Sequence, residues 1–100
     1  AYRHIIQNMF FNTYSSQEGI DTDDGSAYYR ATENLLVYGS EGLKSDFAGH
    51  FNEHVHNVYA YVSECWSSWG NWSDGQNNQF INNTCVTNPL SPDAGWHSDC

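Results

Sequence analysis

The chain has 100 residues, 39% of them hydrophobic and 16% aromatic, with three Lys and Arg against twelve Asp and Glu for a formal charge of −9. That shortage of cations disfavours nucleic acid and anionic membrane surfaces as partners, because both select for an excess of Lys and Arg. The longest apolar run, Val58 to Val62, is five residues, far short of the ~20 that a membrane-spanning helix needs.

The chain opens Ala1-Tyr2-Arg3-His4 with no signal-peptide pattern and no initiator Met, which predicts a processed product or an excerpt of a longer protein. Short runs rich in β-branched and aromatic residues then follow, each opened by Asn: Asn8-Met9-Phe10-Phe11, Asn34-Leu35-Leu36-Val37, Asn57-Val58-Tyr59-Ala60 and Asn83-Thr84-Cys85-Val86. Between them a second strand is expected to start at Glu18-Gly19-Ile20. That element recurs 23 residues later as Glu41-Gly42-Leu43, and after the same interval as Glu64-Cys65-Trp66. Asn34 and Asn57 are also 23 apart, while Asn8 and Asn83 keep the same role with three-residue slippages. No helix is predicted.

A unit this short cannot bury its own apolar face and must stack on its neighbours. The repeat therefore predicts an all-β solenoid of about four parallel-stacked coils, over approximately 5–30, 31–53, 54–79 and 80–100, with a Trp/Gly/Ser/Asn-rich loop over 66–78. Stacking aligns Ile20, Leu43 and Trp66 in one inward column and Phe10, Leu36, Tyr59 and Cys85 in another. The recurrent Asn residues are expected to bond amide to amide along the stack. Uncapped ends would expose strand edges, so residues 1–100 alone are expected to be poorly soluble or to associate.

The Asn-x-aliphatic strands, the Gly-aliphatic strand that follows and the rung length in the low twenties resemble the right-handed parallel β-helix of the pectate-lyase-like superfamily, over roughly Ile5 to Val86. The segments from Glu18 to Ser26 and from Gly42 to His50 are similar to uncharacterised right-handed β-helix domain proteins of that superfamily. The resemblance implies a longer β-helix, of which this chain is an excerpt. It implies too a scaffold shared by lyases, hydrolases, esterases, epimerases, adhesins and tailspikes, and so leaves the reaction open.

The alignment also places polar side chains together. Asp21, Lys44 and Ser67 share a column, as do Thr22, Ser45 and Ser68, and Asp23, Asp46 and Trp69. Parallel neighbours lie ~4.8 Å apart, so Asp23 and Asp46 are expected side by side if the strand continues past Thr22 or if the turn exposes Asp23. Such a pair supports three chemistries. With Asp24 it can hold Ca²⁺, a hard cation that takes carboxylate oxygens. It can supply the acid and nucleophile of a retaining glycosidase. It can also belong to a lyase in which Ca²⁺ neutralises a uronate carboxylate while Lys44 or His50 removes the α-proton. Neighbouring carboxylates make Lys44 a poorer base, which suits it to clamping a substrate carboxylate. The competing reading is turn chemistry, with Asp23-Asp24-Gly25-Ser26 bonding its own backbone and Asp21 and Lys44 forming an ordinary cross-strand ion pair.

His50, His54 and His56 fall in one segment and offer a transition-metal set, against the reading that they are core or turn residues; His54 aligns with inward-tending Ala31. Trp69 and Trp72 either stack on sugar rings beside the Asp23/Asp46 column or pin their loop to the wall, whereas Trp66 is expected in the core. Of the three cysteines, Cys65 and Cys85 occupy different columns, so a bond between them is expected to need the Trp loop to fold back. Asn71-Trp72-Ser73 and Asn82-Asn83-Thr84 match the glycosylation acceptor pattern. Together these features predict a secreted, extracellular protein that processes polysaccharide or cell-wall glycan, as lyase or glycosidase, or that binds or displays glycan without catalysis.

Overall fold

The computed structural model describes residues 1–45, 48–67 and 76–87, with residues 12–18, 40–41, 43–44 and 67 described through their backbone alone. It is all-β: β1 (Arg3–Ile6), β2 (Met9–Asp21), β3 (Tyr29–Thr32), β4 (Leu35–Lys44), β5 (Glu53–Val55), β6 (Val58–Ser67), β7 (Gln79–Ile81) and β8 (Thr84–Thr87). No helix occurs among the described residues, and none is long and apolar enough to cross a membrane.

Odd strands pair with odd strands and even with even. This makes two parallel four-stranded sheets, ordered β1-β3-β5-β7 and β2-β4-β6-β8. The two-residue links that join them explain why. Gln7, Glu33, His56 and Asn82 open these links with φ of 54, 57, 58 and 52°, in the left-handed region. The chain there steps from one sheet to the other and does not fold back as a hairpin, so each strand finds its partner one repeat later.

The Asn after each left-handed residue closes the link. Asn34 receives the Asn8 backbone N–H at 2.9 Å on its side-chain oxygen; Asn57 receives that of Asn34 at 2.9 Å, and Asn83 that of Asn57 at 2.8 Å. The Asn34, Asn57 and Asn83 amide nitrogens donate in turn to the carbonyls of Ile5, Ala31 and His54. With Asn34 and Asn57 each 1% exposed, these bonds satisfy polar groups that water does not reach. The three-residue slippages at Asn8 and Asn83 leave the ladder in phase, because the extra residues fall outside the link.

The expected columns are observed: Phe10, Leu36, Tyr59 and Cys85 are successive Cα partners, as are Ile20, Leu43 and Trp66. Ile20, Ala31, Leu36, Tyr59, Val62 and Cys65 form the buried core, and Ile5, Phe10, Trp66, Phe80 and Cys85 pack against it. Phe80 ties it together by stacking on Trp66 at 5.3 Å and on Tyr59 at 5.9 Å. The Gly of the recurrent Glu-Gly element has a steric cause at Gly42, where a Cβ would lie 2.7 Å from the Cys65 carbonyl oxygen and against the Tyr59 ring.

Two expectations are corrected. The first strand of each unit and the Glu-Gly strand are one long strand, as in β4 and β6, and the second strand of the repeat is a short one that precedes the Asn (β1, β3, β5, β7). The long strand is bent, because Tyr38 and Tyr61 sit within it at φ of 57 and 56°. The second correction follows from that bend. Cys85 is the Cα partner of Tyr59, and six extended residues would carry Cys65 ~20 Å from Tyr59. Yet Cys65 and Cys85 are disulfide-bonded with Cα atoms 6.0 Å apart. The bend at Tyr61 brings Cys65 back over the interior, so the bond joins two strands and needs no excursion of the Trp loop.

Candidate functional site

Asp21 ends β2, is exposed, and has Lys44 as its Cα partner; Lys44 ends β4 and is followed in the column by Ser67 of β6. Lys44 is described through its backbone alone. Beyond this column the chain turns inward, and Thr22 and Ser45 are each 2% exposed. The strand does not continue to Asp23. Asp23-Asp24-Gly25-Ser26 forms a turn closed by the Ser26 N–H donating to the Asp23 carbonyl at 2.8 Å, with Asp24 and Gly25 at φ of 47 and 78°. That turn leaves Asp23 half-buried and Asp24 exposed. Asp46, the expected partner of Asp23, lies outside the described residues, as do Trp69 and Trp72.

The same turn receives His50. Its backbone N–H donates to the Ser26 carbonyl at 3.0 Å, and His50 pairs with Ala27 in an isolated parallel bridge. Asp23, Ser26 and His50 are thus joined through two short backbone hydrogen bonds. The His50 Nδ1 lies 2.9 Å from the Ala48 carbonyl oxygen. Two aromatic rings pack edge-on against one side of the imidazole, Tyr28 at 6.3 Å and Phe51 at 5.6 Å, both at 72°. Tyr28 and Phe51 stack on each other at 5.4 Å and 9°, although 47% and 36% exposed.

A second Asn ladder anchors this corner. Asn52 accepts the Tyr29 N–H at 3.1 Å and donates to the Ser26 carbonyl at 2.9 Å, and Asn78 accepts the Asn52 N–H at 3.0 Å and donates to the Gly49 carbonyl at 2.7 Å. Sequence reasoning missed this ladder, and with it Tyr28 and Phe51. The signals were present: Tyr28 and Phe51 are 23 apart, and Asn52 and Asn78 share the 26-residue interval of Asn57 and Asn83.

The three clustered histidines do not converge. His54, Cα partner of Ala31 and Phe80, is a core residue at 2% exposure, with Nε2 3.5 Å from the Thr22 hydroxyl. Burial lowers its pKa from 6.5 to about 4. His56 is exposed in the link before Asn57. Among the described residues no three His, Cys, Asp or Glu side chains are close enough together to hold a metal ion. Arg30 bonds Glu53 at 2.6 Å, and that bond holds the Glu53 carboxyl below the usual carboxylate range.

Comparison of the chain with protein-family models, with curated proteins and with solved structures finds no match.

Proposed function

We propose that the chain is about four coils of a right-handed parallel β-helix, an excerpt of a longer one, and that it cleaves an acidic extracellular polysaccharide by elimination. The observation that carries the reaction is the corner where the Asp23 turn, His50 and the exposed Tyr28 and Phe51 rings come together. A lyase needs a base for the proton α to the uronate carboxylate and a cation to neutralise that carboxylate. His50 is the base, Lys44 is the clamp, Asp21 binds substrate beside it, and Asp23, Asp24 and Asp46 are the candidate Ca²⁺ carboxylates. Two all-parallel sheets in repeating register support the solenoid, and a disulfide between neighbouring repeats, from buried Cys65 to half-buried Cys85, supports an oxidising, extracellular setting.

The experiment is a screen for unsaturated-uronate absorbance on polygalacturonate and alginate, with and without chelator. Cleavage that disappears in Asp46→Ala and His50→Gln but not in Asp74→Ala places the reaction at this corner. A second reading, glycan binding or display without catalysis, is favoured by the exposed Tyr28 and Phe51 rings, since sugar rings stack on such surfaces. It predicts glycan-array binding that survives Asp23→Ala and Asp46→Ala but is lost in Phe51→Ala or in Trp69→Ala. A chain that binds no glycan defeats both readings.

A further inference from the structure

The chemistry of one hydrogen bond fixes more of the site than the positions of its residues do. A backbone carbonyl only accepts, so the contact of 2.9 Å between His50 Nδ1 and the Ala48 oxygen requires the hydrogen to be on Nδ1. In a neutral imidazole that leaves the lone pair on Nε2, the reverse of the tautomer that a free histidine side chain favours in water.

The surroundings keep the ring in that pose. Ala48 sits at φ 69°, which costs an L-residue energy and aims its carbonyl back at the residue two positions on. Tyr28 and Phe51 also hold left-handed conformations, at φ 61 and 54°, where bulky aromatic residues are uncommon. Their stacked rings meet the imidazole together from one side, both at 72°. Three left-handed residues therefore converge on one half-buried histidine. Left-handed residues recur at other corners of this chain, as Gln7, Glu33, Tyr38, His56 and Tyr61 as well as Asp24, Asn77 and Asn82, and only for Asn and Asp is the conformation less costly.

We propose that Tyr28 and Phe51 are positioning residues which, with the Ala48 carbonyl, hold His50 as its Nδ1–H tautomer so that Nε2 is the atom that takes the substrate proton. The inference rests on the lyase reading above. The C–H bond α to the uronate carboxylate breaks, its proton passes to Nε2, and its electron pair forms the new carbon–carbon double bond. The glycosidic C–O bond β to the carboxylate breaks in the same sense; the departing oxygen takes a proton from water, and the imidazolium returns its own to solvent. Orienting the acceptor lone pair before substrate arrives is what such a step rewards, since a misplacement of ~1 Å can cost ~100-fold in rate.

The test has one arm that needs no turnover. Long-range ¹H–¹⁵N correlation of the ¹⁵N-labelled protein under mildly alkaline conditions, with His50→Gln to assign the signal, should show His50 protonated on Nδ1. Phe51→Leu and Tyr28→Ala should each mix the tautomers. In the kinetic arm, with polygalacturonate or alginate as the polymer the wild type cleaves, Phe51→Leu should lower kcat by about 10-fold while KM stays within about twofold. Tyr61→Ala, at the other aromatic corner, should leave both unchanged. A His50 protonated on Nε2 in an active wild type overturns the inference and leaves the lyase reading standing. So does a Phe51→Leu variant with unaltered tautomer and kcat. A wild type that cleaves neither polymer defeats the lyase reading, and the proton-accepting role of Nε2 with it.

Discussion

His54 should make the fold acid-labile. Its ring occupies the core column between Ala31 and Phe80, 2% exposed, and its Nδ1 has no hydrogen-bond partner among the described residues. Protonating it there would put a charge in an apolar interior, so burial depresses its pKa from 6.5 to about 4. An unfolded chain takes up this proton as the pH falls through about 6.5, whereas the folded chain does so only near 4, so between those values the unfolded state binds more protons and stability falls with pH. At about 1.36 kcal/mol per pKa unit, the full loss is ~3 kcal/mol, of which ~2.5 kcal/mol has accrued by about pH 4.5. Below the folded pKa this contribution is constant. The assay is urea unfolding of wild type and His54→Phe at about pH 7 and about pH 4.5. The variant keeps a ring of similar shape, matching Phe80 of the next repeat, and removes the titration. The wild type should lose ~2.5 kcal/mol more than the variant across that interval. Parallel losses would refute the argument, because they would mean that His54 reaches water or a partner that accepts its charge.

Asn57→Ala should cost ~4 kcal/mol by chemical denaturation, since it strips the acceptor from the Asn34 N–H and the donor from the Ala31 carbonyl, two groups at ~1–3 kcal/mol each when left buried and unpaired. A loss below about 1 kcal/mol would mean that water replaces the amide. Reducing the Cys65–Cys85 bond, or Cys65→Ser, should lower unfolding stability by ~3 kcal/mol, the chain-entropy value for a loop of that length, with a sequence separation of 20. An unchanged midpoint under reducing conditions would show that the buried contacts alone hold the last repeat.

Sequence alone gave the columns because parallel in-register stacking makes the repeat period equal to the strand register. Counting 23 residues from Ile20 reaches Leu43 and then Trp66, and the same count places Asp21 beside Lys44. The Asn ladder was legible for the same reason. What escaped was whatever runs against local preference. β5 is three residues, Glu-His-Val, too short to show alternation. Tyr38 and Tyr61 bend strands from backbone conformations that tyrosine rarely adopts, so nothing in their identity announces a corner. Missing that corner separated Cys65 from Cys85. At the candidate site the acidic turn and His50 were legible as motifs, but their meeting at Ser26 was not, because it rests on backbone bonds and on a second ladder headed by Tyr29 in place of Asn.

The Asn ladder has a direction. At every link the backbone N–H of the earlier Asn donates to the side chain of the later one: Asn8 to Asn34, Asn34 to Asn57, Asn57 to Asn83. During synthesis from the N-terminus a link therefore leaves the ribosome before the residue that completes it, and waits for a further 23 or 26 residues. At ~5–20 residues per second, that lag is a second or more for each repeat. Each newly made edge is thus an open template until the next repeat arrives, and nascent chains on one messenger meet one another in that state.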